Sequence, residues 1–245
     1  MSSHIVYLGD CLDPVTGLAS LADGSVDHVI TDPPYSERVH AGAGAARDPE
    51  QAGDTCGEVL DFGHLTDETR AALAVQFTRC ARRWVLVFCD EESVYPWMID
   101  LRAAGAEWCC KGTWLKEGAM PRMDGTRPAY GTEAICIAHA PRTKGRTRWN
   151  GGGKVGVYPF PVNGEGPRCH PTQKPLALVE ALVRDFTDPG ETVLDPFAGS
   201  GTTGVACKRL GRSFVGWERD PKYHAIAVKR LENTREQLGL WTGAA

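Results

Sequence analysis

The chain lacks any apolar stretch long enough to cross a membrane as a helix. Nothing near its start reads as a signal peptide, since the first apolar run passes straight into a polar turn at Gly9-Asp10; the expectation is a soluble, cytoplasmic protein without a membrane partner. Its nine cysteines include no Cys-x-x-Cys spacing, which argues against a zinc ribbon, and 245 residues need no disulfide framework. They read as reduced thiols, and Cys109-Cys110, on a strand, would point to opposite faces with one of them in the core. His170 has no second His, Cys or carboxylate at ligand spacing, so no metal is assigned. No internal repeat is evident. Cationic excess is missing too: 27 Lys and Arg face 31 Asp and Glu, a net charge of −4 that at first argues against a nucleic-acid partner.

What is present is enough apolar residue, 42% of the chain, for one large core with an inserted or appended lobe. Apolar periodicity predicts strands at 4–8, 26–31, 84–89, 106–115, 133–139, 192–195 and 213–217. Helices are predicted at 14–22, 66–82, 92–104, 174–187, 201–210 and 220–237. This alternation means an α/β protein with a mostly parallel sheet and helices on both faces. The 133–139 strand is the exception, expected to pair antiparallel because the link before it is too irregular for a helical crossover. Residues 36–65, rich in Gly and Ala, form a loop longer than loops usually are without a function, expected to close over a substrate.

Two motifs carry chemistry. The apolar run Val193-Leu194 ends in Asp195, and Pro196-Phe197-Ala198-Gly199-Ser200-Gly201-Thr202-Thr203 follows as a glycine-rich turn into a helix. The glycines remove side chains where a ligand approaches, and the helix start offers free N–H donors. Alone, this would equally suit a steric strand-to-helix turn. The next apolar run ends in Glu218-Arg219, and an acid at that strand tip can accept both ribose hydroxyls of a nucleoside. Phe197 stands where a dinucleotide fold would place its first glycine, so an adenosyl group with a short charged tail fits better: S-adenosylmethionine, whose sulfonium Phe197 or Tyr35 can face.

The second motif, Thr31-Asp32-Pro33-Pro34-Tyr35, closes a short β-branched run where the prolines end strand pairing. Asp32 and the Pro33 carbonyl, whose neighbour Pro34 has no N–H, can accept two hydrogen bonds from an exocyclic amine, while Tyr35 stacks on its ring. A bare Pro-Pro-Tyr is more often a turn covering the core; the preceding Asp and the glycine motif favour the site.

Together, Asp32-Pro33-Pro34-Tyr35, His170-Pro171-Thr172-Gln173-Lys174-Pro175 and Asp195 to Thr203, in that order, resemble the beta class of DNA amino-methyltransferases over residues 4 to about 235. The resemblance implies a circularly permuted Rossmann-like methyltransferase fold with a small target-recognition insertion. It divides the chain into a catalytic half (1–115), a target-recognition segment (116–168) and a cofactor-binding half (169–245). It also implies methyl transfer from S-adenosylmethionine to adenine N6, or less often cytosine N4, in double-stranded DNA. Asp before Pro-Pro-Tyr usually accompanies adenine in that family. Asp10, closing the first strand, would receive the cofactor's adenine with the Cys11 backbone nearby, although a turn-capping role competes for Asp10 and is the better reading for Asp13. Thr172 and Lys174 would meet the methionine carboxylate, and Ala198, Ser200 and Arg219 complete the cofactor set.

Charge distribution offsets the acidic total. Arg142, Lys144, Arg146, Arg148 and Lys154 form a run without an acid, read here as phosphate contacts beside the amine site. Enzymes of this class often pair, which makes a homodimer one arrangement, with Trp97 and Trp108 as candidate contacts or, better, core residues. A companion restriction endonuclease is an association of the family rather than of these residues. Competing readings are an N4-cytosine enzyme, a protein or RNA amide methyltransferase, and a cofactor- and DNA-binding subunit that has lost catalysis. A cytosine-C5 enzyme is rejected, because its nucleophilic thiol follows a proline and no Pro-Cys pair occurs.

Overall fold

A computed structural model describes residues 3–35, 65–120, 126–141, 149–162 and 173–236. Eight strands form one sheet: β1 (His4–Leu8), β2 (His28–Thr31), β3 (Trp84–Cys89), β4 (Glu107–Glu117), β5 (Thr132–His139), β6 (Val157–Pro161), β7 (Thr192–Asp195) and β8 (Ser213–Glu218). Five α-helices accompany them among the described residues: α1 (Asp67–Cys80), α2 (Val94–Ala103), α3 (Leu176–Phe186), α4 (Thr202–Arg209) and α5 (Pro221–Asn233). The strand order is β1-β8-β7-β2-β3-β5-β4-β6, and β5 alone runs antiparallel to its neighbours.

Both faces of the sheet are covered, so its central strands are apolar throughout instead of alternating with polar residues. Val85, Val87 and Cys89 of β3 face a core built with Leu73 and Phe77 of α1 and Trp97 and Leu101 of α2. Trp84, Leu86 and Phe88 face the other core, with Leu178, Leu182 and Phe186 of α3 and Val205 and Ala206 of α4. Trp97, 1% exposed, is thus a core residue. No helix among the described residues is long and apolar enough to cross a membrane.

This topology sets the site. From β7 the chain passes through α4 to β8 on one side; from β2 it passes through α1 to β3 on the other. The connections diverge between β2 and β7, the switch point where open α/β sheets bind ligands at their carboxyl ends. Asp32 follows β2 and Asp195 ends β7. The first strand lies at the sheet edge against the last, with Leu8 beside Glu218, as expected of a permuted chain.

Three expectations are corrected. The helix predicted at 14–22 is only a three-residue 3-10 turn, Leu18–Ser20. Asp13 Oδ1 accepts from the N–H groups of Val15 (2.9 Å) and Thr16 (2.7 Å), and a Cβ on Gly17 would lie 2.4 Å from the Cys11 carbonyl, so side-chain bonds and backbone crowding replace the helix. Cys109 and Cys110 are both exposed. A register shift between Trp108 and Cys110 breaks the alternation that would have sent one inward.

The third correction is β6, which was not anticipated because Val-Tyr-Pro-Phe-Pro holds two prolines. β6 is the terminal strand, pairing only with β4. Val162 donates to the Glu117 carbonyl, so N–H groups of its parity face β4, whereas Pro159 and Pro161 share the opposite, outward parity and cost no ladder bond.

At the amino ends of the central strands β7, β2 and β3, Glu191 gathers His28 Nε2 (2.7 Å), the Asp188 N–H (2.6 Å) and Arg83. Burial disfavours its charge, but the bonds from His28, Asp188 and Arg83 outweigh that and hold its carboxyl at about 2. A depressed acid stabilises the fold above its unfolded pKa and loses that contribution as pH falls through the folded one. The melting-temperature gap between the wild type and Glu191→Gln should therefore be constant above about pH 5 and shrink steadily toward pH 2. A gap that stays constant over the whole range contradicts this assignment.

Candidate active site

The ends of β2 and β7 are tied directly. Thr31 Oγ1 donates to Asp195 Oδ1 at 2.8 Å, and the same oxygen accepts the Phe197 N–H at 3.1 Å. Asp195 is 3% exposed. Its burial, the dominant effect, and the Asp32 charge push its carboxyl up to about 6 against the pull of these bonds and one from Thr203. Asp195 is thus a structural bolt: it closes the turn into the glycine loop and fixes that loop against the Asp32 strand.

The loop itself turns through Gly199 (φ +53°) and Gly201 (φ +81°), both in the left-handed region. They differ in purpose. A Cβ on Gly201 would meet Ala227 Cβ at 2.9 Å, so Gly201 is needed for close packing on α5, whereas nothing lies within 4 Å of a Cβ on Gly199. No described residue fills the space that a Cβ would take at Gly199 or, across the strand ends, at Gly9 (φ +153°). Glu218 holds the loop: Oε2 accepts the Gly199 N–H and Oε1 the Asp220 N–H, each at 2.8 Å. The Arg219 N–H also bonds this carboxylate, and a remaining lone pair is available to a ligand hydroxyl. Arg230 of α5 braces the loop from behind, donating to the Ser200 carbonyl at 2.6 Å and Ser200 Oγ at 2.9 Å.

Asp32 stands beside this loop in an asymmetric setting. Its Oδ2 is 2.6 Å from Lys174 Nζ. Its Oδ1 is shielded from solvent and has no hydrogen-bond partner among the described residues. Such an acceptor costs free energy until a donor arrives. Lys174 Nζ also reaches Tyr35 Oη at 3.2 Å and Glu133 Oε1 at 3.1 Å, and lies 5.4 Å from the Tyr35 ring centroid. Burial opposes its charge, but Asp32 and Glu133 more than compensate, so Lys174 is held as a cation. Gln173, its neighbour, accepts from Ser200 Oγ at 3.3 Å, linking the third motif to the glycine loop. Three stretches, the first more than a hundred residues before the other two, thus share one edge.

Comparison with known proteins bears on this arrangement. The family model for DNA methylases of the N6/N4 type matches residues 108–229. The chain belongs to the N6/N4 DNA methylase family. It is 54% identical over 67 residues to a Type II methyltransferase, M2.DpnII of Streptococcus pneumoniae, a match covering 27% of this chain and 25% of that protein. The chain therefore aligns with only about a quarter of the length of that curated relative. The solved M1.HpyAVI–SAM complex superposes with a TM-score of 0.70 at 26% identity, over 92% of this chain and 98% of the other. PvuII DNA methyltransferase, cytosine-N4-specific, shares the fold at TM-score 0.70 and 17% identity, over 97% of this chain and 89% of the other.

The sequence-predicted residues fall into three groups. Asp32 to Tyr35, Lys174, Asp195 to Thr203 and Glu218 come together at the switch point. Asp10 and Cys11 lie at the neighbouring strand end: Gly9 N–H donates to the Glu218 carbonyl at 2.9 Å, and Asp10, Asp195 and Arg219 all act electrostatically on the Cys11 thiol. Burial pushes that thiol up to about 12, so it remains protonated and only its backbone is available to a ligand. Asp10 Oδ1 accepts the Leu12 N–H at 2.8 Å, a turn-capping bond that leaves its other lone pairs exposed. Lys174 was expected at a methionine carboxylate; its ammonium is instead shared between Asp32 and Glu133.

Lys154 is not brought to this edge, which corrects its reading as a phosphate contact beside the amine. It precedes β6, which runs parallel to β4, and pairs with Asp185 at 3.2 Å near the far end of α3. Lys174 lies just before that helix, whose 11 residues span about 15 Å. Thr172, Arg142, Lys144, Arg146 and Arg148, like the 36–64 stretch, lie outside the described residues. The sequence reading missed Glu133, Lys116 and Arg230. For Glu133 a signal existed: an acid opening the otherwise apolar run Ala134 to Ala138.

Proposed function

We propose that the protein transfers a methyl group from S-adenosylmethionine to the exocyclic N6 amine of adenine in double-stranded DNA. The observation that carries this reading is the shielded, partnerless Oδ1 of Asp32, poised beside a glycine loop with open space at Gly199. The donor set suits the cofactor. Carboxylates at adjacent strand tips, Glu218 and Asp10, suit ribose hydroxyls and an adenine amine. The side-chain-free Gly9 and Gly199 admit a flat, close ligand, with Phe197 and Arg219 at its margins. When bound, S-adenosylmethionine supplies a methyl group on a cationic sulfur that is displaced in line by a nucleophile.

The chain's own residues prepare that nucleophile. Asp32 Oδ1 accepts one amine N–H and the Pro33 carbonyl the other, which turns the nitrogen lone pair away from the ring plane. The positive charge developing on nitrogen then meets a carboxylate already in place, a fixed electrostatic stabilisation. Tyr35, its hydroxyl held by Lys174, offers its ring to an everted base, offsetting part of the few kcal/mol that unstacking costs. No covalent enzyme intermediate is required.

Adenine is favoured by Asp as the first residue of the motif, since both bases present the same pair of N–H donors. Target recognition is proposed for the 116–168 segment, of which β5 and β6 belong to the main sheet. The test is nucleoside mass spectrometry of duplex DNA treated with the protein and methyl-labelled cofactor. N6-methyladenine is the expected product. N4-methylcytosine would keep the mechanism and change the base; absence of label from every base would overturn the proposal.

A further inference from the structure

Glu133 is 5% exposed at the head of β5, and an acid so placed must be paired to remain charged. Both its oxygens are occupied: Oε1 by Lys174 Nζ at 3.1 Å and Oε2 by Lys116 Nζ at 3.3 Å. Lys174 in turn holds Asp32 Oδ2 at 2.6 Å. Four alternating charges, Lys116, Glu133, Lys174 and Asp32, thus run from the end of β4 across the sheet edge to the end of β2. Their sum is zero. Burying such a chain contributes little to stability compared with apolar packing, so its persistence calls for another explanation.

We infer that Glu133, clamped by Lys116, is a positioning residue that draws Lys174 toward one oxygen of Asp32 and leaves the other unpaired for the amine. This rests on the methyl transfer proposed above. An ammonium has three donors and no directional preference between two carboxylate oxygens. With Asp32 as its only anion, Lys174 would settle between Oδ1 and Oδ2 and occlude the atom the substrate needs. Glu133 pulls it from the β5 side, and the Phe88 ring, 5.2 Å from Nζ, lines its path. Sharing the cation also leaves more negative charge on Asp32, making it a stronger acceptor. Lys116, its cation 5.1 Å from the Trp114 ring centroid, holds the second Glu133 oxygen at 3.3 Å, while burial raises the Glu133 carboxyl and Lys174 opposes that rise.

Glu133→Gln keeps the shape and removes the charge. A crystal structure of this variant should show Lys174 Nζ within hydrogen-bond distance of both Asp32 oxygens, a result independent of any activity. With DNA, kcat should fall at least 10-fold while the DNA KM and cofactor affinity stay within about two-fold. Lys116→Met, at a side chain 23% exposed, should move both readouts the same way by a smaller amount, and serves if Glu133→Gln does not fold. Lys174 unmoved with Oδ1 still free, or kcat unchanged, overturns the inference. A wild-type protein that methylates no DNA would instead refute the proposed function, while the crystal structure still judges the placement of Lys174.

Discussion

Asp32→Ala is expected to reduce methyl transfer by at least about 10²–10³-fold while leaving cofactor affinity within a few-fold of the wild type. Among the described residues, this carboxylate is the side chain proposed to meet the amine, and its loss removes both the orienting acceptor and the charge opposite the developing cation. The fold should tolerate the change. Lys174 retains Glu133 at 3.1 Å as its counter-ion, so no unpaired buried charge is created. Thr31 Oγ1 still bonds Asp195 at 2.8 Å, so the two strand ends stay tied. Single-turnover transfer to duplex DNA, with calorimetric binding of S-adenosylhomocysteine, separates the two effects. Full activity in Asp32→Ala would remove the mechanism; a parallel loss of activity and cofactor binding would assign Asp32 to the cofactor instead.

The second large effect is a contrast between two glycines two residues apart. Gly199→Val should lower cofactor affinity by about 100-fold or more, because its side chain enters the open space that the adenosyl group is proposed to fill. Its cost to the fold is limited to the left-handed backbone, about 1–2 kcal/mol. Gly201→Val combines the same kind of backbone strain with a Cβ 2.9 Å from Ala227 Cβ, and neither side is a flexible chain end that can give way. It should unfold at a markedly lower temperature than Gly199→Val. Unchanged calorimetric affinity in Gly199→Val would contradict the cofactor placement, and equal melting temperatures for the two variants would contradict the division of roles.

The parts legible in the sequence are those in which local pattern and tertiary environment agree. β3 and β7 have the bounds their apolar runs predicted, because strands buried on both faces leave no ambiguity of period, and the edge strand β1 has its predicted bounds too, although Ile5, Tyr7 and Leu8 are exposed. The permuted order was implied by the family resemblance, and the meeting of the Asp32 and Gly199 motifs followed from their places at carboxyl strand ends. Where a tertiary contact overrides local preference, the reading failed. Residues 14–22 have helical spacing, but Asp13 bonds the following N–H groups and turns the chain first. β6 was hidden by prolines that only a terminal strand tolerates. That omission put Lys154 on the wrong edge, since an unseen parallel strand carries the chain across the sheet. The acid at the head of an apolar run marked Glu133 in the sequence, but its pairing did not show there, because its partners Lys116 and Lys174 come from β4 and the approach to α3.

The claim on which the rest depends is that a single cleft at the β2–β7 switch point serves both the methyl donor and the amine. A crystal structure with S-adenosylhomocysteine tests it most directly. The account expects the adenosyl group against Gly199 with its ribose on Glu218, and the sulfur turned toward Asp32 Oδ1. Ligand bound elsewhere, or a sulfur directed away from Asp32, would contradict it.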